Sequence, residues 1–127
     1  MIEASSYELH GTRVLDCSAD GSPVSAGGMV TELIGAAWGQ HARLVLIPIA
    51  RLGEDFFQLK TGVAGEMLQK LATYDLRVAI VGDIGRRLAE SSALHDFVVE
   101  CNRGSQIWFV ASLDELDERL KLHEQGL

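Results

Sequence analysis

Hydrophobic positions change their period several times along the chain, and each change marks a new element. Residues Ile2 to Leu9 and Thr12 to Cys17 read as two short strands, with Gly11 between them as a hairpin turn. Ser18 to Ser25 is rich in turn formers and reads as an exposed loop. From Gly28 to Gln40 the spacing becomes helical: Met29, Val30, Leu33, Ile34, Ala37 and Trp38 share one face, and Gly39 is the stop. Arg43 to Ile49 is then a continuous apolar run, the mark of a strand covered on both sides. Pro48 belongs at its end, because proline cannot donate to a central ladder.

The same alternation continues to the end of the chain. A second helix is expected from Leu59 or Thr61 to Thr73, burying Val63, Ala64, Met67, Leu68 and Leu71. Arg77 to Val81 is another covered strand, closed by Gly82 and Asp83. A third helix is expected from Ala89 to Asn102, with Leu94, Phe97, Val98 and Cys101 inward and Glu100 and Asn102 outward. Gln106 to Ala111 forms the last strand. Ser112 caps a terminal helix with Leu113, Leu116 and Leu120 inward and Asp114 and Glu115 in its first turn. The order ββαβαβαβα predicts an α/β fold: a mixed sheet, mainly parallel in its later strands, covered by helices. No repeat, low-complexity tract or linker divides the chain, so residues 1–127 read as a single domain.

Composition narrows the function classes. At 127 residues and 47% apolar, with a mean hydropathy of +0.13, the chain is long enough for a core and unlike a disordered one. Eleven Lys and Arg against eighteen Asp and Glu leave a net charge of −7. That balance opposes binding to nucleic acid or to an anionic membrane surface. The longest apolar stretch, Leu44 to Ala50, has the length of a strand, and no basic segment followed by an apolar run opens the chain. A cytoplasmic protein is expected. Cys17 and Cys101 form no disulfide framework and read as buried, inert thiols. His10, His41, His95 and His123 show no ligand spacing, so neither a metal nor a cofactor is implied.

Three stretches carry a resemblance to a known family. Glu54-Asp-Phe-Phe-Gln-Leu-Lys-Thr-Gly-Val-Ala-Gly-Glu-Met-Leu-Gln-Lys-Leu71 resembles the signature of a small bacterial domain-of-unknown-function family, number forty-one-eighty. Arg77-Val-Ala-Ile-Val-Gly-Asp83 and His95-Asp-Phe-Val-Val-Glu-Cys-Asn102, followed by Trp108-Phe-Val110, extend the likeness, which implies no known activity. More distantly, the element order is similar to that of STAS domains (sulfate transporter and anti-sigma-factor antagonist). In those domains a helix opens with an Asp-Ser-Ser/Thr-Gly loop whose first serine is a phosphorylation switch. The equivalent run is Leu59-Lys60-Thr61-Gly62, which keeps the threonine and glycine but lacks the aspartate and the phosphoacceptor serine. The resemblance therefore implies the architecture and not the switch.

Candidate site residues gather around two turns. Asp55, Lys60, Thr61 and Gly62 lie at or before the start of the second helix, where free N–H groups favour an anion. The plainer alternative is that Thr61 or Asp55 caps that helix while Lys60 is solvated. Phe56 and Phe57 are adjacent, so one is expected in the core and the other outward as a partner contact. Asp83 and the pair Arg86 and Arg87 follow a parallel strand, the region where α/β sheets gather ligands. Surface ion pairs with acids such as Glu90 are the alternative for the two arginines.

These residues predict a non-catalytic STAS-like regulatory or protein-interaction module that docks a protein partner through residues 54–65 and Asp83. The alternative is a small-molecule (anion) binder or enzyme using the same region. In that reading Lys60 and Arg86 hold the anion, and Asp55 or Asp83 serves as acid or base. No complete catalytic motif is present, and self-association is left open. Shape separates the two readings: docking calls for an open patch with an accessible Phe56 or Phe57, and a ligand calls for a concavity.

Overall fold

The computed structural model describes residues 4–17 and 28–124, so the loop expected over Ser18 to Ser25 lies outside the described residues. Strands β1 (Ala4–Leu9) and β2 (Thr12–Cys17) pair antiparallel across His10 and Gly11. Both turn residues have positive φ, 49° and 84°, as a two-residue hairpin of matching twist requires. Helix α1 (Gly28–Gly39) leads to β3 (Leu44–Pro48), which pairs parallel with β2 and ends at its proline as expected. A 3₁₀ turn at Ile49–Arg51, the single-turn helix α2 (Glu54–Phe57) and a second 3₁₀ turn at Leu59–Thr61 precede helix α3 (Val63–Thr73). Then come β4 (Arg77–Val81), α4 (Gly85–Glu90), α5 (Ser92–Arg103), β5 (Ile107–Val110) and α6 (Leu113–Glu124).

The sheet runs in chain order, β1-β2-β3-β4-β5, and every pairing after the hairpin is parallel. Such an order repeats one crossover, so the crossover helices fall on the same face. Leu15, Val45, Ile47, Val78, Ile80 and Phe109 project to that face and meet α1, α3 and α5. The alternate residues Val14, Leu44, Leu46, Ala79, Trp108 and Val110 form a second cluster with Leu116 and Leu120 of α6. Covering on both sides explains why these strands are apolar without alternation. The α/β class, the mixed sheet and the element order expected from the sequence are all present, in the arrangement the STAS resemblance implies.

Several details differ from the expectation. The third helix is divided: Ser91 leaves helical geometry and its hydroxyl accepts from the Leu94 N–H at 3.1 Å, so α5 starts there. The residues before it form α4, whose start is fixed by the Gly85 N–H donating to Asp83 Oδ1 at 2.9 Å. Trp38, expected inward, is 58% exposed, because the buried stripe of α1 is Val30, Leu33, Ile34 and Ala37. One further residue turns the side chain by about 100°, off that stripe. Trp38 packs instead edge-on against the exposed Tyr74, at 5.6 Å. Leu113, also expected inward, is exposed at the start of α6. Ser112 does cap α6, accepting from the Glu115 N–H at 3.2 Å.

Asn102 departs from its expected outward face and ties helix to sheet. Its amide donates to the Phe109 carbonyl at 3.2 Å and its Oδ1 accepts from the Phe109 N–H at 2.7 Å. Those two bonds occupy the free edge of β5 where another chain could otherwise add a strand.

Gly82 makes the tightest approach at the strand ends. Its φ is +147°, and a Cβ there would lie 2.5 Å from Ile49 Cγ1 and 2.7 Å from Ile49 Cδ1. Gly82→Ala is therefore expected to destabilise the protein by about 2–3 kcal/mol in urea unfolding. A loss below about 0.5 kcal/mol, the level of a neutral surface change, would contradict this packing.

Candidate functional site

The segments after β3 and after β4 face each other beyond the carboxyl ends of those strands, where open α/β sheets leave a crevice. A concavity of about 500 Å³ lies there. Glu54, Phe57 and Lys60 form one wall, and Arg87, Glu90 and Leu94 form the other.

The first wall is built by two turns locked to each other. The Thr61 hydroxyl lies 2.8 Å from both the Asp55 and Gln58 carbonyl oxygens, to which it donates, and it accepts weakly from the Val63 N–H at 3.3 Å. Gly62 follows with φ +79°, a left-handed conformation that allows α3 to start immediately after the turn. Thr61 thus acts within the local turn, and Gly62, not Thr61 or Asp55, holds the N-cap position of α3. Lys60, held on the outer side of this turn, is exposed and has no hydrogen-bond or ion-pair partner among the described residues.

The expectation that one of the two phenylalanines is exposed is corrected. Phe56 is 1% and Phe57 7% exposed, their rings edge to face at 5.2 Å. Adjacent residues are buried together where the covered face is wide, as Leu33 and Ile34 of α1 and Met67 and Leu68 of α3 also are. Phe56 reaches Phe109 of β5, while Phe57 forms the floor of the crevice.

The second wall depends on α4. Adjacent residues of a helix diverge by about 100°, so its two arginines part. Arg86 turns to solvent and pairs with Glu90 one turn on, at 3.5 Å. Arg87 turns inward: its guanidinium lies 4.3 Å above the Phe57 ring and donates to Glu54 Oε1 at 2.8 Å. Arg86, the arginine expected to hold an anion, is thus outside the crevice, and Arg87 is the one that enters it. Glu54 and Leu94 were not singled out for it, because only the chain's return from β4 brings them together.

Asp55 and Asp83 are both exposed and stand outside the crevice lining. Asp83 borders a smaller hollow of about 330 Å³ across α4, with Ile49 and Arg86, and its carboxylate holds the start of α4. Neither carboxylate converges with a nucleophile in a shared cavity. Among the described residues, no group of three His, Cys, Asp or Glu side chains could hold a metal ion. No helix among them is long and apolar enough to cross a membrane.

A hollow of similar size at the opposite, amino-terminal edge of the strands has a different character. Trp108 lies there between the guanidinium groups of Arg77, at 4.7 Å, and Arg119, at 4.4 Å. Arg119 donates to the Asn102 carbonyl at 2.8 Å, and Arg103 pairs with Glu100 at 2.8 Å. These cations serve the carboxyl-terminal end of α5.

Arg51 is the buried charge that the sequence did not announce, 2% exposed at the end of its 3₁₀ turn. Its positive charge favours the Cys17 thiolate, but burial outweighs it and the thiol is pushed up to about 12. Burial raises the Cys101 thiol as well.

The architecture and strand order make this a STAS-like α/β protein. The family model for a domain of unknown function (DUF4180) matches residues 9–120, and the chain belongs to that family. No curated protein and no solved structure matches the chain.

Cys17 keeps its proton in the folded protein well above its usual pKa of 9.0, so its contribution to stability holds below pH 9 and is lost as pH rises towards about 12. At mildly alkaline pH an alkylating reagent is expected to label the half-buried Cys101 before Cys17, as read by peptide mass spectrometry. Faster labelling of Cys17 would contradict the burial described here.

Proposed function

We propose that the protein is a non-catalytic regulatory module that binds an anionic ligand in the crevice between residues 54–60 and 87–94. The observation that carries this reading is the pairing of Lys60 and Arg87 across a concavity with an apolar floor. Its volume, about 500 Å³, suits a small molecule, and ligand sites of this kind combine an apolar lining with a few placed charges. Lys60 supplies a mobile point charge and Arg87 a fixed planar fork. Regulation rather than turnover is supported by the carboxylates: Asp55 and Asp83 do not line the crevice, and Glu54 and Glu90, which do, are each paired with an arginine.

A protein partner is the second reading. Leu59 and Lys60, which stand where STAS domains carry the aspartate and serine of their regulatory loop, border the crevice, so a partner reaching that loop would cover its rim. The burial of Phe56 and Phe57 removes the aromatic patch on which docking first rested, and this places the ligand reading ahead.

A thermal-shift panel of organic acids and phosphate esters tests the proposal. A ligand at a hundred times its Kd stabilises by about 2.7 kcal/mol, a rise of roughly 10 °C for a chain of this size. Lys60→Ala is expected to leave the unliganded Tm within about 2 °C, since Lys60 holds nothing in the fold. It should remove at least half of the ligand-induced rise. A panel in which no anion raises the wild-type Tm, or a rise fully retained in Lys60→Ala, would overturn the reading.

A further inference from the structure

We infer that the crevice selects an organic acid by its carboxylate, that Arg87 is the receptor, and that Glu54 is a built-in competitor occupying that receptor in the empty site. The inference rests on the reading of the crevice as an anion site and adds its ligand class and its control. Glu54 and Arg87 are 33 positions apart on two different walls, yet Glu54 Oε1 lies 2.8 Å from Arg87 Nη2. Phe57 holds the guanidinium from beneath at 4.3 Å, which fixes the plane of its N–H fork. A carboxylate is therefore already seated on an oriented guanidinium inside the crevice, and a ligand carboxylate would replace it like for like.

The surroundings decide what else the ligand carries. Leu59 and Ala93, with what remains accessible of Phe57, offer apolar surface beside Arg87, which suits an apolar body attached to the carboxylate. Lys60 adds a cation without a partner among the described residues. The negative charge of Glu90 is engaged outside, by Arg86. Glu54 itself is well exposed, and an ion pair of that kind shifts an equilibrium by no more than about fivefold. The competitor is thus weak enough to be displaced: it sets the ligand concentration at which the site fills and does not block it.

Benzoate is the probe, followed in the full chain by two-dimensional amide NMR. In the wild type it is expected to shift the amides of residues 57–60 and 91–94. Glu54→Gln should bind benzoate about three- to fivefold more tightly. Glu90→Gln removes an equal charge from the same crevice without freeing Arg87 and should gain less. Arg87→Gln should weaken binding at least tenfold, and Arg87→Lys, which keeps the charge but not the fork, at least threefold; the lysine variant carries the test if the glutamine variant fails to fold.

Other outcomes overturn the inference in distinguishable ways. If Glu54→Gln binds no more tightly than wild type, or no more than Glu90→Gln, the competition falls while the anion site stands. If inorganic phosphate shifts the crevice amides and benzoate does not, the carboxylate class falls and the anion site again stands. If neither anion shifts them in any of these proteins, both readings fall.

Discussion

Three parallel strand pairings in unbroken chain order constrain everything else in this molecule. Because each strand is laid beside the one before it, every crossover must climb the same face and return, and the segments leaving β3 and β4 emerge side by side at one edge. The three crossover helices α1, α3 and α5 share one core, and the terminal helix α6 is left to cover the other face. At the emerging edge, two irregular segments meet before either has settled into its long helix. The crevice is what remains between them, and its walls are held by local devices: Thr61 on one side, Asp83 and Ser91 on the other.

Within that edge, side-chain chemistry follows from small changes of direction. Burial of Phe57 does not remove it from the site. It turns an expected contact residue into a support, since its ring orients Arg87. The step from Arg86 to Arg87 divides the pair between solvent and crevice, and each takes a different glutamate. An acidic chain with a charge of −7 thus presents a site with balanced charge: Lys60 and Arg87 against Glu54 and Glu90. Attraction of an anion to such a site depends on short-range geometry more than on the field of the whole molecule.

Much of the fold was legible because burial leaves a direct mark on sequence. Leu44 to Pro48 and Arg77 to Val81 are apolar without alternation, and covering on both faces permits little else. Ser112 and Gly11 announce their cap and turn by residue type. The departures fall in the shortest helix and at the ends of long ones. A four-residue helix cannot establish a buried stripe, so the burial of both Phe56 and Phe57 was hidden. Trp38 stands one residue beyond the buried stripe of α1 and Leu113 at the first position of α6, and both are exposed where periodicity alone predicts burial. The candidate region was legible as a neighbourhood through Lys60 and Asp83. Its working pair was not: Glu54 and Arg87 meet only through the crossover that brings α4 against α2.

Direct observation of a carboxylate on Arg87 tests the central claim most sharply. Crystals of the wild-type protein soaked in para-bromobenzoate, with data collected at the bromine absorption edge, would locate both ends of the probe. The bromine peak is expected beside Leu59 and Ala93, with the carboxylate on Arg87 and the Glu54 side chain displaced. A probe bound elsewhere while the Glu54–Arg87 pair stays closed would contradict it.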